Sequence, residues 1–93
     1  MGKMTLETQL KSQVKDYLKI KGIFCYHLLQ GVGSFRGLPD MVMHYEGDVH
    51  YLELKAPKGK LSPYQVRFQE QCQWDEVSYH VIRKVEDLME VVG

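Results

Sequence analysis

A Glu-Gly dipeptide at positions 46 and 47 separates two segments rich in strand-forming residues, and it limits how the chain can fold. A two-residue turn joins neighbouring antiparallel strands, so segments 38–45 and 48–55 are predicted to form a β-hairpin in which Tyr45 faces Asp48. In that register Asp40 faces Glu53, whereas a three-residue turn would shift the register by one and place Asp40 on the other face. Glu53 and Lys55 are two residues apart and therefore point to the same side of the sheet. The two-residue turn thus predicts two carboxylates and an ammonium group at one end of the hairpin.

Helical and strand patterns alternate along the rest of the chain. Thr5 is the predicted N-cap of a first helix that runs to about Lys21, where Gly22 stops it. Its apolar stripe recurs at every fourth residue and consists of Leu6, Leu10, Val14 and Leu18. Strand-forming residues at 23–29 predict a strand between this helix and the hairpin.

A second helix is predicted to begin after the hairpin, because Ser62 is a favourable N-cap and Pro63 suits the first helical position. Gln65 completes a capping box with Ser62, and the helix is expected to run to position 73 or 74. A fourth strand at 77–82 and a last short helix at 85–91 follow. The predicted order is αβββαβα, an α/β fold.

Length and composition describe one small domain. The chain has 93 residues, no net charge and 44% hydrophobic residues, which is ordinary for a globular protein. Positions 1–36 carry a net charge of +4 and positions 68–93 a net charge of −4, which would let one end face a polyanion. On charge alone, charged outer faces of helices are the favoured interpretation. No apolar run approaches the ~20 residues of a membrane span, and the N-terminus lacks the apolar stretch of a signal peptide. The two cysteines make no disulfide framework, which favours a reducing, intracellular compartment.

Asp40, Glu53 and Lys55 are the candidate chemical groups. Two carboxylates across a gap suit Mg²⁺, which takes oxygen ligands, polarises phosphoryl oxygens and acidifies bound water. The alternative interpretation is a salt-bridged cluster at a strand end. Glu53 has apolar neighbours that suggest burial, and a buried charge is costly without a partner or a metal. The cysteines and histidines have no spacing typical of a zinc site, and no Ser-His-Asp or phosphate-loop motif is present.

The residues around this cluster resemble a nuclease family. Pro39-Asp40 followed by Glu53-Leu54-Lys55 matches the PD-(D/E)xK pattern, and the segments 37–40 and 53–65 extend the match. The chain is similar over nearly its whole length to the VRR-NUC (virus-type replication-repair nuclease) family, in particular to its small stand-alone members in phages and bacteria. The resemblance implies a restriction-endonuclease-like αβββαβ core with a mixed sheet flanked by helices. It also implies a single nuclease domain over residues 1–93 in the cytoplasm of a bacterial or phage-infected cell.

The resemblance assigns roles residue by residue. Asp40 and Glu53 would bind Mg²⁺ or Mn²⁺ together with the backbone carbonyl of Leu54, and Lys55 would position or activate water. Glu7 and Gln65 match two further catalytic positions of the family. Both have alternative explanations, since a carboxylate in a first helical turn is favoured by the helix dipole and Gln65 belongs to a capping box.

Basic residues near the cluster are the expected DNA contacts. Arg36 lies in the glycine-rich loop before Asp40, and Lys58 and Lys60 follow the strand of Glu53. Contacts of this kind hold phosphates without reading base sequence. For the lysines at positions 11, 15 and 19 of the first helix, a solvated face is the favoured interpretation. Three aromatic residues are candidates for base stacking but are assigned to core packing in the first instance: Tyr26, Phe35 and Tyr64.

The function implied by the resemblance is metal-dependent cleavage of branched DNA, including Holliday junctions, by a homodimer. A paired cut on two opposed strands needs two sites, and a two-fold dimer supplies them. Trp74 is one candidate interface residue, although it can also belong to the core. The alternatives are a non-catalytic nucleic-acid-binding module, a flap or single-strand nuclease, and a small interaction protein whose dimer face is its function.

Overall fold

The computed structural model describes residues 5–93 and contains the seven elements in the predicted order. The helices are α1 (Leu6–Ile20), α2 (Pro63–Trp74) and α3 (Val85–Val92). The strands are β1 (Cys25–His27), β2 (Met41–Tyr45), β3 (Asp48–Leu54) and β4 (Ser78–Ile82). None of the helices in the described part of the chain is long and apolar enough to cross a membrane.

The helix starts follow local chemistry. The Thr5 side chain accepts a hydrogen bond from the backbone N–H of Thr8 at 3.0 Å, which caps α1 as predicted. At the start of α2, the Ser62 hydroxyl accepts from the N–H of Gln65 and the Gln65 side chain accepts from the N–H of Ser62. The predicted capping box is therefore confirmed.

The first strand is shorter than the predicted 23–29. The N–H of Ile23 donates to the carbonyl of Leu18 at 2.9 Å, and Gly22 adopts a φ of 71°. These are the features of a Schellman motif, so the chain at Gly22 and Ile23 terminates α1 and cannot yet pair with β2. The second strand begins at Met41 rather than at position 38, because the N–H of Leu38 closes a turn with the carbonyl of Phe35.

The sheet is mixed, with the strand order β1-β2-β3-β4. The first two pairings are antiparallel, and β3 and β4 are parallel. A parallel pair requires a crossover connection, and α2 is part of it here. The architecture is the α/β, restriction-endonuclease-like fold that was predicted, with helices on both faces of the sheet.

The main core lies between one face of the sheet and helices α1 and α3. Its fully buried side chains alternate along the central strands, as the pleat requires: Met41, Met43, Leu52, Leu54 and Ile82. Leu10, Val14 and Leu18 of the α1 stripe pack on them, but Leu6 is 62% exposed. The prediction was wrong for Leu6, which lies one helical turn before the first residue of the stripe that packs on the sheet.

Helix α2 covers part of the opposite face of the sheet. The ring of Phe68 packs against Tyr51 of β3 at a centroid distance of 5.1 Å and against Tyr79 of β4 at 6.0 Å. Glu53 has the same parity as Tyr51 and therefore points into the layer between sheet and α2. This arrangement brings a carboxylate into an interior that is largely apolar.

Candidate active site

The hairpin has the predicted two-residue turn. Tyr45 pairs with Asp48 and Met41 pairs with Leu52, so one further step along the ladder places Asp40 opposite Glu53. Asp40 lies just before β2, and its Oδ2 accepts a hydrogen bond of 2.8 Å from the backbone N–H of Leu54. The prediction that Asp40 and Glu53 converge at this end of the hairpin is therefore confirmed as geometry.

Glu53 is a buried acid, only 1% exposed. Its Oε1 accepts a hydrogen bond of 3.0 Å from the side-chain amide of Gln65 and lies 3.6 Å from the ammonium of Lys55. Its Oε2 is buried and has no hydrogen-bond partner among the described residues. Removing a carboxylate oxygen from water without a partner is costly, so this oxygen is suited to a cation.

Burial and charge change the acidity of Glu53. Burial, and secondly the neighbouring Asp40 carboxylate, raise its pKa from the ordinary 4.5 to about 8, although the Lys55 ammonium acts in the opposite direction. Two adjacent carboxylates that share the Lys55 ammonium, the one beside them in residues 5–93, favour a bound proton. A divalent cation would replace that proton and satisfy both acids.

The amide of Gln65 combines the two roles that the sequence left open. Its Oε1 accepts from the N–H of Ser62 and thereby caps α2, while its Nε2 donates to Glu53. One side chain thus fixes the start of α2 and the orientation of the buried carboxylate. The capping interpretation is confirmed, and a catalytic role for Gln65 stays a prediction that its contact with Glu53 supports.

Glu7 is not joined to this cluster. It lies exposed in the first turn of α1, and no hydrogen bond or ion pair links it to Asp40, Glu53 or Lys55 within residues 5–93. Stabilisation of the helix dipole accounts for a carboxylate at this position. A catalytic role for Glu7 stays a prediction.

The donor set fits a hard cation that retains water. Within the described chain, no group of three or more His, Cys, Asp or Glu side chains is placed to hold a metal. Asp40 and Glu53 provide two carboxylates, and the N–H of Leu54 faces Asp40. Because the N–H and C=O of a strand residue point to the same side, the Leu54 carbonyl faces the Asp40 side too. Such a sparse, oxygen-only set is typical of Mg²⁺.

The structure explains why position 37 is a glycine, which the sequence did not reveal. A Cβ at this position would collide with the backbone carbonyl of Tyr64 in the first turn of α2. The loop before Asp40 therefore packs backbone to backbone against the turn that carries Gln65. Only glycine permits that approach, which places Asp40 and Gln65 on either side of Glu53.

The expected DNA contacts lie near the cluster. The Arg36 guanidinium lies over the ring of Tyr64, with Cζ 4.7 Å from the centroid, and its Nη1 donates to the Tyr64 hydroxyl at 3.2 Å. Lys58 and Lys60 are exposed in the loop that follows β3. Helix α1 with its lysines packs on the face of the sheet opposite to Glu53, which agrees with a solvated face for those lysines.

The three aromatic candidates for base stacking are only partly buried. Tyr26, Phe35 and Tyr64 are 41%, 45% and 40% exposed. Phe35 contacts Phe68 at 5.8 Å between centroids. Tyr26 makes a tilted contact with Phe24 at 5.6 Å and an edge-to-face contact with His44 at 5.8 Å. Trp74 is 84% exposed and does not belong to the core. Core packing therefore accounts for only part of the surface of Tyr26, Phe35 and Tyr64, and two fifths or more of each residue is left open to solvent.

Comparison with solved structures agrees with this geometry. The chain is similar to a structure described as a VRR_NUC domain, with a TM-score of 0.80 and 20% sequence identity over 95% of each chain. The protein thus has the fold of a VRR_NUC domain along nearly its whole length. No protein-family sequence model matches the chain, and no curated protein matches it significantly.

Proposed function

We propose that this protein is a metal-dependent endonuclease that hydrolyses phosphodiester bonds in DNA. One observation carries the proposal: Glu53 is 1% exposed, has an unpartnered oxygen and lies beside Asp40 and the Lys55 ammonium. In its ionised form the cluster leaves one buried carboxylate oxygen without a hydrogen bond, and a divalent cation would satisfy it. The similarity to a VRR_NUC domain supports the same function.

Asp40, Glu53 and the Leu54 carbonyl would hold Mg²⁺ or Mn²⁺. The bound ion would polarise a phosphoryl oxygen and increase the acidity of a coordinated water. Gln65 holds one oxygen of Glu53, so the other is presented in a fixed orientation. Asp40 is fixed in turn by the N–H of Leu54. The chain therefore preorganises its ligands before any cation arrives.

Lys55 supplies a positive charge next to this oxygen cluster. Its Nζ lies 3.6 Å from Glu53, and its side chain is 16% exposed. We infer that it orients the attacking water and offsets the negative charge that develops on the phosphate. An ammonium on a largely buried side chain is more effective in this role than one in bulk water, because charges interact more strongly away from water.

Branched DNA is the proposed substrate, and a homodimer the proposed active form. One chain contributes one cluster, and resolution of a four-way junction needs cuts on two opposed strands. A two-fold dimer with both clusters on one face provides them. Exposed Trp74 is available to an interface, in which aromatic residues are enriched. Arg36, Lys58 and Lys60 would bind phosphates without sequence preference.

Cleavage of labelled four-way junctions, flaps, duplexes and single strands tests the proposal. Wild-type protein is expected to cut with Mg²⁺ or Mn²⁺ and to be inactive in EDTA, with junctions cut fastest. Asp40→Asn should nearly abolish cleavage and leave DNA binding intact, because it removes a ligand charge and little volume. Asp48→Asn at the exposed opposite end of the hairpin is the matched control. Cleavage in EDTA, or full activity of Asp40→Asn, would refute the mechanism.

The same substrates separate the alternatives. DNA binding without cleavage by wild-type protein would favour the non-catalytic binding module. Preferential cleavage of flaps or single strands would favour the flap or single-strand nuclease. Sedimentation at micromolar concentration, with and without junction DNA, tests the dimer, and a strict monomer in both conditions would exclude the paired cut.

A further inference from the structure

Arg83 makes an unusual set of contacts at the end of β4. Its Nη1 lies within hydrogen-bond distance of three backbone carbonyls that are 24 to 27 positions away in the chain. The distances are 2.9 Å to Ala56, 3.3 Å to Pro57 and 2.6 Å to Gly59. Hydrogen bonds from a charged donor are stronger than neutral ones, so a single side chain holds most of this loop.

The loop at 56–60 begins directly after Lys55 and carries the exposed lysines at 58 and 60. It is closed by a turn in which the N–H of Gly59 donates to the carbonyl of Ala56 at 2.9 Å. A Cβ at Gly59 would lie 3.6 Å from Cδ of Lys55. The backbone of the loop therefore packs against the aliphatic part of the Lys55 side chain, so a movement of the loop would change the position of that side chain.

The backbone of Arg83 is held in place by the start of α3. Its backbone N–H donates to Oδ2 of Asp87 at 2.9 Å, which ties it to the first turn of α3. The preceding residue, Ile82, accepts a hydrogen bond of 3.0 Å from the N–H of Lys55. The guanidinium thus extends from the last rung of the β3–β4 ladder, a rigid part of the sheet, to a loop without secondary structure of its own.

We propose that Arg83 is a positioning residue that orders the 56–60 loop, and through it Lys55, Lys58 and Lys60, for the bound phosphate backbone. The proposal rests on the nuclease function proposed above. Arg83 acts through these residues and touches neither the metal ligands nor the reacting phosphate. A loop ordered in advance loses less conformational entropy when DNA binds.

The experiment compares Arg83→Met, which keeps an apolar stem and has no donor, with Arg83→Lys, which keeps one charged donor. Arg67→Ala, an exposed arginine on α2, is the matched control. Limited proteolysis with trypsin, mapped by mass spectrometry, reports loop opening at the bonds that follow Lys58 and Lys60. Losing the charge-assisted hydrogen bonds should accelerate these two cuts by about 10- to 100-fold in Arg83→Met. Arg83→Lys should fall between Arg83→Met and wild type.

Junction binding and cleavage by the same variants complete the test. Arg83→Met should raise KM and lower kcat by roughly tenfold each at an unchanged metal requirement, with partial rescue in Arg83→Lys. If trypsin cuts the loop of Arg83→Met at the wild-type rate, the proposal is overturned. It is also overturned if trypsin cuts the loop faster but DNA binding and cleavage do not change. If the salt dependence of DNA binding by Arg83→Met falls by about one unit and the loop does not open, Arg83 contacts a phosphate directly instead. If wild-type protein cuts no DNA, the nuclease function fails, and proteolysis together with DNA affinity still decides on Arg83.

Discussion

Glu53→Gln should stabilise the metal-free protein near neutral pH, although it destroys the proposed metal site. Glutamine has the shape of the protonated acid and can still accept the hydrogen bond from Gln65. What it removes is the need for Glu53 to take up a proton when the chain folds, because the acid is ionised in the unfolded chain and mostly protonated in the folded one. Lys55 faces a neutral side chain in both proteins below a pH of about 8, because Glu53 is mostly protonated there.

The magnitude follows from the raised pKa. Glu53 has a pKa of about 8 in the folded protein against an ordinary value of 4.5. The folded state thus holds its proton more tightly, so the stabilisation is complete below pH 4.5 and is lost as the pH rises towards 8. Each pH unit in that window costs up to ~1.4 kcal/mol, which makes about 3 kcal/mol at pH 7. For a domain of this size that corresponds to roughly 10–20 °C in Tm.

Unfolding by urea in EDTA at several pH values between 4.5 and 8 measures this effect. The difference between wild type and Glu53→Gln should grow by about 3 kcal/mol between pH 4.5 and pH 7. Comparing the two proteins cancels the contributions of the other titrating groups to the pH dependence of stability. One of these groups is His80, whose pKa is lowered by burial and by His50, so its contribution to stability increases as the pH rises. Glu70→Gln, on the exposed side of α2, is the control. A difference that does not change with pH would show that Glu53 is not a strained buried acid.

Three further predictions concern residues around the same cluster. Lys55→Ala should lower single-turnover cleavage by two to three orders of magnitude while Mg²⁺ still raises the Tm, whereas near-normal turnover would favour a purely structural ion cluster. Replacing Lys58 and Lys60 together with alanine should weaken DNA binding and make its salt dependence shallower by about one to two units, and an unchanged slope in a titration would show that neither contacts phosphate. Gly37→Ala should cost at least ~2 kcal/mol in urea unfolding because its Cβ would meet the backbone of α2, whereas Gly31→Ala, which has open space around it, should be close to neutral.

Local chemistry made much of this molecule predictable. The capping residues Thr5 and Ser62 define helix starts through bonds that span three positions. The Glu46-Gly47 turn sets the register of the hairpin, because both residues adopt positive φ and close a two-residue loop. Once that register is set, the pairing of Asp40 with Glu53 follows by counting.

Other features depend on contacts between segments that are distant in sequence. The exposure of Leu6 reflects how far α1 and the sheet overlap, which no local pattern records. Trp74 lies on the surface although its residue type suits a core equally well. The separation of Glu7 from the cluster likewise depends on where α1 packs.

The candidate active site likewise has features that the sequence predicts and features that depend on tertiary packing. The sequence alone determined which acids and which lysine meet at the end of the hairpin, because strand pairing is a local rule applied here over the sixteen residues from 40 to 55. Only the tertiary structure decided that Glu53 keeps one oxygen without a partner, that Gly37 must approach α2, and that Arg83 holds the loop behind Lys55. These depend on how α2 and β4 pack against the hairpin. Burial and backbone approach are properties of the assembled layers, and they determine the acidity and orientation of the groups that strand pairing brought together.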